Sequence, residues 1–506
     1  MKVLVIGLDG ACMDLIKVWT REGKLPTFEK LMREGSYGNL ESVTPPLTIP
    51  AWNCLATGKN PGKLGCFGFV QKVYKSYDFR LCASLSKKEK DIWDILSGYG
   101  RKVFVLNAPN VISAHKINGY MVAGFLCLSE KNLAYPEGLR DLLRDMNYKR
   151  GSPYIIPFLT GSDYEISRML EEMTESICKV LFHFLEKEWD FGFVVFQELD
   201  GAGHRFWNRK DILLKHYQHI DRKLKEILNK LNDVDDETNI IIVSDHGFGP
   251  NKRVFLINEW LAREGYLKLR KKPSLLLINT IIRVLKEENI LRILKLLMKC
   301  FPHLLPLYES LFRGAMRVPI LWNETKAFCY GNWGMIYINL SGREPQGIVK
   351  EENYEELRTE IIEKLQKISV KACRREEIYH GPYLELAPDI IIQIDDYVNS
   401  VAGKIGYNKE FTEGFIFEGY HNRMNGTFIA WGPDIRENFE INAKIYDIAP
   451  TILHMFGVPI PKDMDGRVLK EIFKGDLAMQ EIKYQELEEN RRIKKRIKEL
   501  KRSGRI

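Results

Sequence analysis

The stretch Ile240-Ile241-Ile242-Val243-Ser244-Asp245-His246-Gly247 indicates the fold class of this 506-residue chain. Four apolar residues that favour β-structure follow one another without interruption, which is typical of a strand covered on both faces of a sheet. The run then ends in Asp245 and His246. Burying two such groups without a partner costs free energy, and a bound metal ion would supply that partner. Gly247 permits the chain to turn so that both adjacent side chains reach one ion.

Further apolar runs also end in acidic or polar residues. They are residues 3–8 before Asp9, 103–106 before Asn107, 191–196 before Asp200 and 390–394 before Asp395. Helical patterns lie between such runs, at residues 166–188 and 213–231. This alternation predicts an α/β fold with a mostly parallel central sheet flanked by helices. Ligands bind such sheets beyond the carboxyl ends of the strands, which is where these polar residues fall.

The sequence pattern changes over residues 251–385. Within them, residues 268–317 are rich in Leu and Ile with interspersed Lys and Arg, which predicts an inserted helical cap. Basic amphipathic helices also lie on membrane surfaces, so contact of the cap with a membrane is an alternative. The predicted domains are a metal-binding α/β core (1–250), the inserted cap (251–385), the second part of the core (386–475) and a basic charged tail (476–506).

The positive charge of the chain is concentrated near its end. The formal net charge is +8, and residues 490–506 hold nine Lys and Arg against one acid, which accounts for all of it. Because the remainder is neutral, the composition gives no reason to expect nucleic acid bound over the whole surface. The tail leaves RNA or an acidic protein as an alternative partner.

The overall composition is that of a soluble globular protein, with 45% hydrophobic and 28% charged residues. No apolar stretch is long enough to predict a membrane-spanning helix. The nine cysteines form no C-x-x-C pair, which argues against a zinc knuckle or a redox motif. An odd number of cysteines without a secretory leader predicts reduced thiols and a cytoplasmic location.

Six residues near predicted strand ends have metal-binding side chains: Asp9, Asp200, His204, Asp245, His246 and His421. Taken singly, Asp9 fits a turn and His421 fits a structural histidine. Together, three carboxylates and three imidazoles suffice for two zinc-like sites if other oxygens contribute. Two adjacent metals are typical of phosphoryl transfer. The sequence contains no P-loop motif, so ATP hydrolysis of that kind is excluded.

The segments around these residues are similar to the alkaline phosphatase superfamily, and most of all to its type I phosphodiesterase/nucleotide pyrophosphatase branch. Residues 45–62 resemble the nucleophile region of that branch, and residues 445–467 resemble its closing helix and loop. The resemblance covers roughly the first 250 residues together with residues 385–475. Spacing alone does not choose Thr48 over Thr44 or Thr57 as the nucleophile, whereas the resemblance does.

The resemblance implies a metal-dependent phosphohydrolase that cleaves a phosphodiester or nucleotide pyrophosphate bond in a small-molecule substrate. One divalent ion would be held by Asp200, His204 and His421, and the other by Asp9, Thr48, Asp245 and His246. The Thr48 hydroxyl would attack phosphorus and form a covalent phosphothreonine. Zinc is the expected ion of both sites, with manganese or magnesium as alternatives.

The sequence also departs from the pattern of this branch. Relatives carry an Asn beyond the nucleophile that contacts phosphate, and residues 65–70 contain none. Asn53 or a backbone N–H is therefore expected to replace it. Three other functions stay open: a phosphomutase of the same superfamily, a transferase that moves a phosphoalcohol onto a lipid or glycan headgroup, and a non-catalytic binding protein with a vestigial metal site.

Overall fold

A central sheet of ten strands organises the molecule. The computed structural model describes residues 1–73, 75–82, 89–127, 129–150, 161–234, 237–270, 320–405, 407–414 and 417–485. The order across the sheet is Phe439–Glu440, Ser36–Glu41, Asn425–Trp431, Thr238–Val243, Lys2–Leu8, Phe191–Phe196, Val103–Ala108, Gly119–Ala123 and Ala134–Tyr135, with Ala443–Lys444 paired to Ser36–Glu41.

The centre of this sheet is parallel. Lys2–Leu8 lies between Phe191–Phe196 and Thr238–Val243 and pairs with both in parallel. Val103–Ala108 continues the parallel pairing, whereas Asn425–Trp431 runs antiparallel to Thr238–Val243. Because parallel strands end at the same edge, the polar residues that follow them are brought together there. The predicted α/β fold with a mostly parallel central sheet is confirmed.

Helices cover both faces of the sheet, which is why its central strands are fully buried. The helices are Met13–Arg21, Pro26–Arg33, Thr48–Thr57, Pro61–Leu64, Ile92–Gly98, Leu139–Asp145, Asp163–Leu185, Glu198–Phe206, Lys210–Val234, Ile257–Arg263, Tyr354–Lys367, Arg375–Ile378, Ile448–Met455 and Gly475–Met479. Gly7 permits close packing of Trp52, since a Cβ at Gly7 would lie 2.4 Å from Trp52 Cη2. The helix that carries Trp52 therefore lies directly on the central strand.

Part of the chain forms a second, smaller sheet with its own apolar core. Its four antiparallel strands are, in order, Ala327–Cys329, Met335–Ile338, Ile390–Ile392 and Ala372–Arg374. The strand Ile390–Ile392 was expected in the central sheet, and that assignment is wrong. It pairs with Met335–Ile338 and Ala372–Arg374, because a continuous apolar run specifies burial on both faces but not which sheet provides it.

The described residues also form four smaller groups of paired strands. They pair Val70–Lys72 with Phe79–Leu81, Gly247–Pro250 with Gly419–Arg423, Val254–Leu256 with Ser400–Ala402 and Phe411–Thr412, and Ile460–Pro461 with Tyr484–Gln485. The helices predicted at 268–317 fall almost wholly on residues 271–319, which lie outside the described residues. Most of the basic tail, from residue 486 onward, also lies outside them. In the part of the chain that is described, no helix is long and apolar enough to cross a membrane.

Candidate metal centre

The six predicted ligands meet at the carboxyl edge of the central sheet. Asp9 directly follows the strand Lys2–Leu8, and Asp245 lies two residues after the adjacent parallel strand Thr238–Val243. The helix Glu198–Phe206, which carries Asp200 and His204, begins two residues after the neighbouring strand Phe191–Phe196. Topology thus gathers side chains that are more than two hundred positions apart in the sequence.

The first group of ligand-type side chains consists of Asp9, Asp245 and His246. One ligand atom from each lies within 4.8 Å of the others. His246 Nε2 is 3.2 Å from Asp245 Oδ2 and 3.6 Å from Asp9 Oδ1. The outer carboxylate oxygens are held by the protein, since Gly10 N donates to Asp245 Oδ1 at 3.2 Å and Trp52 Nε1 donates to Asp9 Oδ2 at 3.4 Å. The remaining oxygens are left facing His246.

The second group is centred on His421, from the strand Gly419–Arg423. Its Nε2 lies 2.9 Å from Asp200 Oδ1 and 3.0 Å from His204 Nε2. His204 is oriented by its other nitrogen, since Nδ1 lies 3.1 Å from the Gly419 carbonyl oxygen. The His421 ring also stacks on His246 with 3.8 Å between centroids. The two groups are therefore adjacent, and His246 is within reach of both.

Thr48 begins the buried helix Thr48–Thr57, and its Oγ1 lies 3.4 Å from His246 Nε2. The other candidate threonines are engaged differently. Thr44 Oγ1 contacts Met424 Sδ at 3.9 Å, and Thr57 Oγ1 donates to the Asn53 carbonyl at 2.7 Å. The N-terminus of a helix attracts anions through its free N–H groups and its dipole. Thr48 thus combines a hydroxyl beside the ligand groups with a position suited to phosphate.

The electrostatics of the site fit a divalent cation. Asp9 Oδ1 and Asp245 Oδ2 are buried without a hydrogen-bond partner among the described residues. Burial and the neighbouring carboxylate of Asp245 raise the pKa of Asp9 well above its usual value. Burial raises the pKa of Asp245 to about 7. An ion would stabilise both carboxylates in their charged form and give their free oxygens a partner.

The histidines of the site are suited to the same role. Burial lowers the pKa of His204 to about 4, and burial followed by the nearby His421 lowers the pKa of His246 well below its ordinary value. Both imidazoles are therefore neutral at physiological pH, which is the form that binds a metal. Carboxylate and imidazole donors together suit zinc and manganese.

The structure also assigns roles that the sequence did not predict. Trp52 follows Thr48 by four positions, so the spacing places both on one face of the helix, but its hydrogen bond to Asp9 Oδ2 depends on the fold. Asn53 or a backbone N–H was expected to replace the missing phosphate contact. Its Nδ2 instead donates to the Ile49 carbonyl at 2.8 Å and contacts Cys66 Sγ at 3.6 Å. The amide of Asn53 thus serves internal packing.

Comparison with known proteins identifies the family of this chain. Residues 3–416 match the family described as "Type I phosphodiesterase / nucleotide pyrophosphatase". The chain belongs to this family. No curated protein matches the sequence. Membership supports a metal-dependent hydrolase that acts on phosphodiester or pyrophosphate bonds.

Two solved structures share the fold at low sequence identity. Human ectonucleotide pyrophosphatase / phosphodiesterase 5 is 14% identical with a TM-score of 0.55, and the match covers 94% of this chain and 100% of that chain. An inactive variant of the murine protein in complex with AMP is 14% identical with a TM-score of 0.52, and the match covers 91% of this chain and 96% of that chain. These likenesses agree with the alkaline-phosphatase-like fold expected from the sequence.

Proposed function

We propose that this protein is a two-metal phosphodiesterase or nucleotide pyrophosphatase that works through a covalent intermediate on Thr48. The observation that carries the proposal is the 3.4 Å separation of Thr48 Oγ1 and His246 Nε2 at the start of a buried helix. Family membership supports the reaction class. Two ions are proposed because the ligand-type side chains form two overlapping groups, Asp9 with Asp245 and His246, and Asp200 with His246 and His421. His204 lies 3.0 Å from His421 in the second group.

The residues of this chain would divide into two ion-binding sets. One set is Asp9, Thr48, Asp245 and His246, and the other is Asp200, His204 and His421. When bound, divalent ions lower the pKa of a coordinated hydroxyl or water and neutralise charge on phosphoryl oxygens. Zinc is proposed for both positions because each set mixes imidazole with carboxylate.

Thr48 would act as the nucleophile in a reaction of two steps. In the first, its Oγ forms a bond to phosphorus while the bond from phosphorus to the leaving oxygen breaks and that oxygen takes the electron pair. In the second, water attacks phosphorus, the Oγ–P bond breaks, and Thr48 is restored as a monoester is released. The hydroxyl loses its proton in the first step and regains one in the second.

The phosphoryl oxygens would be bound by backbone groups in place of the missing Asn. The N–H groups of Thr48 and Ile49 begin the helix, where N–H groups have no acceptor within the helix. Pro50 follows them and has no N–H of its own. A phosphate at this point would meet two donors and the positive end of the helix dipole.

A substrate panel tests the proposed reaction. We expect zinc- or manganese-dependent turnover of bis(p-nitrophenyl) phosphate, with kcat/KM at least about tenfold above that of the monoester p-nitrophenyl phosphate. Chelation with EDTA should remove the activity, and added metal should restore it. Turnover of the monoester alone, or interconversion of phosphoglycerates without diester cleavage, would contradict the proposal and favour another member of the superfamily.

A further inference from the structure

A buried network of polar side chains lies behind the candidate metal centre. Glu198 is the first residue of the helix that carries Asp200 and His204, and its side chain is completely buried. Its carboxylate lies 2.8 Å from His216 Nδ1 and 2.8 Å from His219 Nδ1. Both histidines belong to the next helix, Lys210–Val234. The network therefore joins the ligand-bearing helix to its longer neighbour.

The hydrogen-bond partners of His219 fix its charge. Nδ1 faces the carboxylate of Glu198, and Nε2 lies 3.2 Å from Glu175 Oε1. Carboxylates only accept, so both ring nitrogens must donate and the ring is an imidazolium. Burial would lower the pKa of His219, but Glu198 and Glu175 raise it above its ordinary value. A buried anion at Glu198 thus has a buried cation beside it.

His216 also belongs to the network, but its second ring nitrogen faces a hydroxyl and not a carboxylate. Its Nε2 lies 3.0 Å from Ser167 Oγ, on the helix Asp163–Leu185. The helices Glu198–Phe206, Lys210–Val234 and Asp163–Leu185 are therefore joined by hydrogen bonds that converge on the buried Glu198 carboxylate, two residues before Asp200 in the chain.

The helix that bears the ligands needs such an anchor. It has nine residues, and two of them are Gly201 and Gly203. Each glycine in a helix interior costs about 1 kcal/mol relative to alanine. Packing requires both, since a Cβ would lie 2.5 Å from Leu170 Cδ2 at Gly201 and 3.0 Å from the Phe248 ring at Gly203. Its N-cap residue, Gln197, makes no side-chain capping bond. The helix therefore depends on contacts from outside to keep its orientation.

We propose that Glu198, held by His216 and the positively charged His219, positions Asp200 and His204 for metal binding. These three are positioning residues, since they act on the ion through the helix and do not touch it. The inference rests on the proposed metal centre. It adds a selective effect, because Asp9, Asp245 and His246 lie outside this helix in the chain, whereas Asp200 and His204 belong to it.

Zinc affinity of the metal-free protein tests the inference without an activity assay. In competition with a chromogenic chelator, His219→Ala should bind one equivalent of zinc about tenfold more weakly than wild type, which is the scale on which residues behind metal ligands act. Its affinity for the other equivalent should be unchanged. His219→Gln, which keeps one donor for Glu198, should fall between wild type and alanine. The matched control is His454→Ala, at another buried histidine whose Nε2 lies 3.4 Å from the Leu477 carbonyl. It should lower stability without changing either affinity.

The failure of the inference can be told from failure of the metal centre. Asp200→Asn should abolish the zinc equivalent that His219→Ala weakens, and if it does not, both proposals are wrong. If Asp200→Asn abolishes it while folded His219→Ala binds both equivalents as tightly as wild type, the positioning role alone is overturned. Should His219→Ala not fold, Glu175→Gln removes the negative charge beside His219 Nε2 from a partly exposed position. It should weaken binding of the same zinc equivalent, and unchanged affinity would overturn the inference.

Discussion

Thr48→Ala is expected to lower kcat for diester hydrolysis at least about 10³-fold, because it removes the proposed attacking oxygen. The fold should persist, because the 3.4 Å contact between the hydroxyl and His246 Nε2 is too long to contribute much stability. Alanine also favours a helix. Steady-state kinetics on bis(p-nitrophenyl) phosphate, with circular dichroism as a check on folding, measure the effect. Thr48→Ser keeps an attacking hydroxyl and should retain far more activity than alanine.

Thr57→Ala is the matched control for this prediction. It makes the same substitution in the same buried helix, at a hydroxyl that donates to the Asn53 carbonyl. Loss of that bond should cost about 1 kcal/mol of stability and leave kcat nearly unchanged. If Thr48→Ala kept the wild-type rate, or if Thr57→Ala lost as much activity, the assignment of the nucleophile would be wrong.

Asp245→Asn is expected to have opposite effects on function and stability. Removing a proposed metal ligand should lower kcat at least about 10³-fold. The metal-free protein should become more stable at pH 8, because a buried charge with an unpartnered oxygen is replaced by a neutral amide. Activity assays and denaturant unfolding after EDTA treatment measure the two effects separately.

The pH dependence of the metal-free protein follows from the same residue. An unfolded aspartate has a pKa near 3.9, and burial raises the pKa of folded Asp245 to about 7. Between these values the folded state holds a proton that the unfolded state has lost. The free energy of unfolding should therefore fall as pH rises from about 4 to about 7, by roughly 3 kcal/mol in total. Asp245→Asn should reduce this decline, and the part that remains comes from Asp9, whose pKa burial also raises.

Asp221→Asn is the control for activity at another buried aspartate. The Asp221 carboxylate accepts from the backbone N–H groups of Thr27 at 3.0 Å and Phe28 at 2.9 Å, and burial raises its pKa as well. Asparagine keeps one oxygen for these donors, so the substitution should leave the rate intact. An Asp245→Asn protein that behaved like Asp221→Asn would show that Asp245 is a structural residue.

Much of the candidate site could be predicted from the sequence, because local signals mark it. Asp245 and His246 interrupt a run of apolar residues, and Asp200 and His204 have the spacing of one helical turn. His421 carried no such signal by itself. Its place became clear from its contacts with Asp200 and His204, which depend on long-range topology.

Other features of the structure could not be predicted from the sequence. The strand Ile390–Ile392 looks like those of the central sheet, since composition reports burial and not the pairing partner. His216 and His219 lie in a helical pattern where histidines ordinarily face solvent. Their role emerges only when Glu198 of another helix is brought within hydrogen-bonding distance.

The most direct test of the central claim is to identify the covalent intermediate. Enzyme mixed with a p-nitrophenyl diester and quenched in acid during turnover should carry the retained half of the substrate on Thr48, as read by peptide mass spectrometry, and Thr48→Ala should carry none. An adduct on a different residue, or turnover at full rate by Thr48→Ala, would contradict the account.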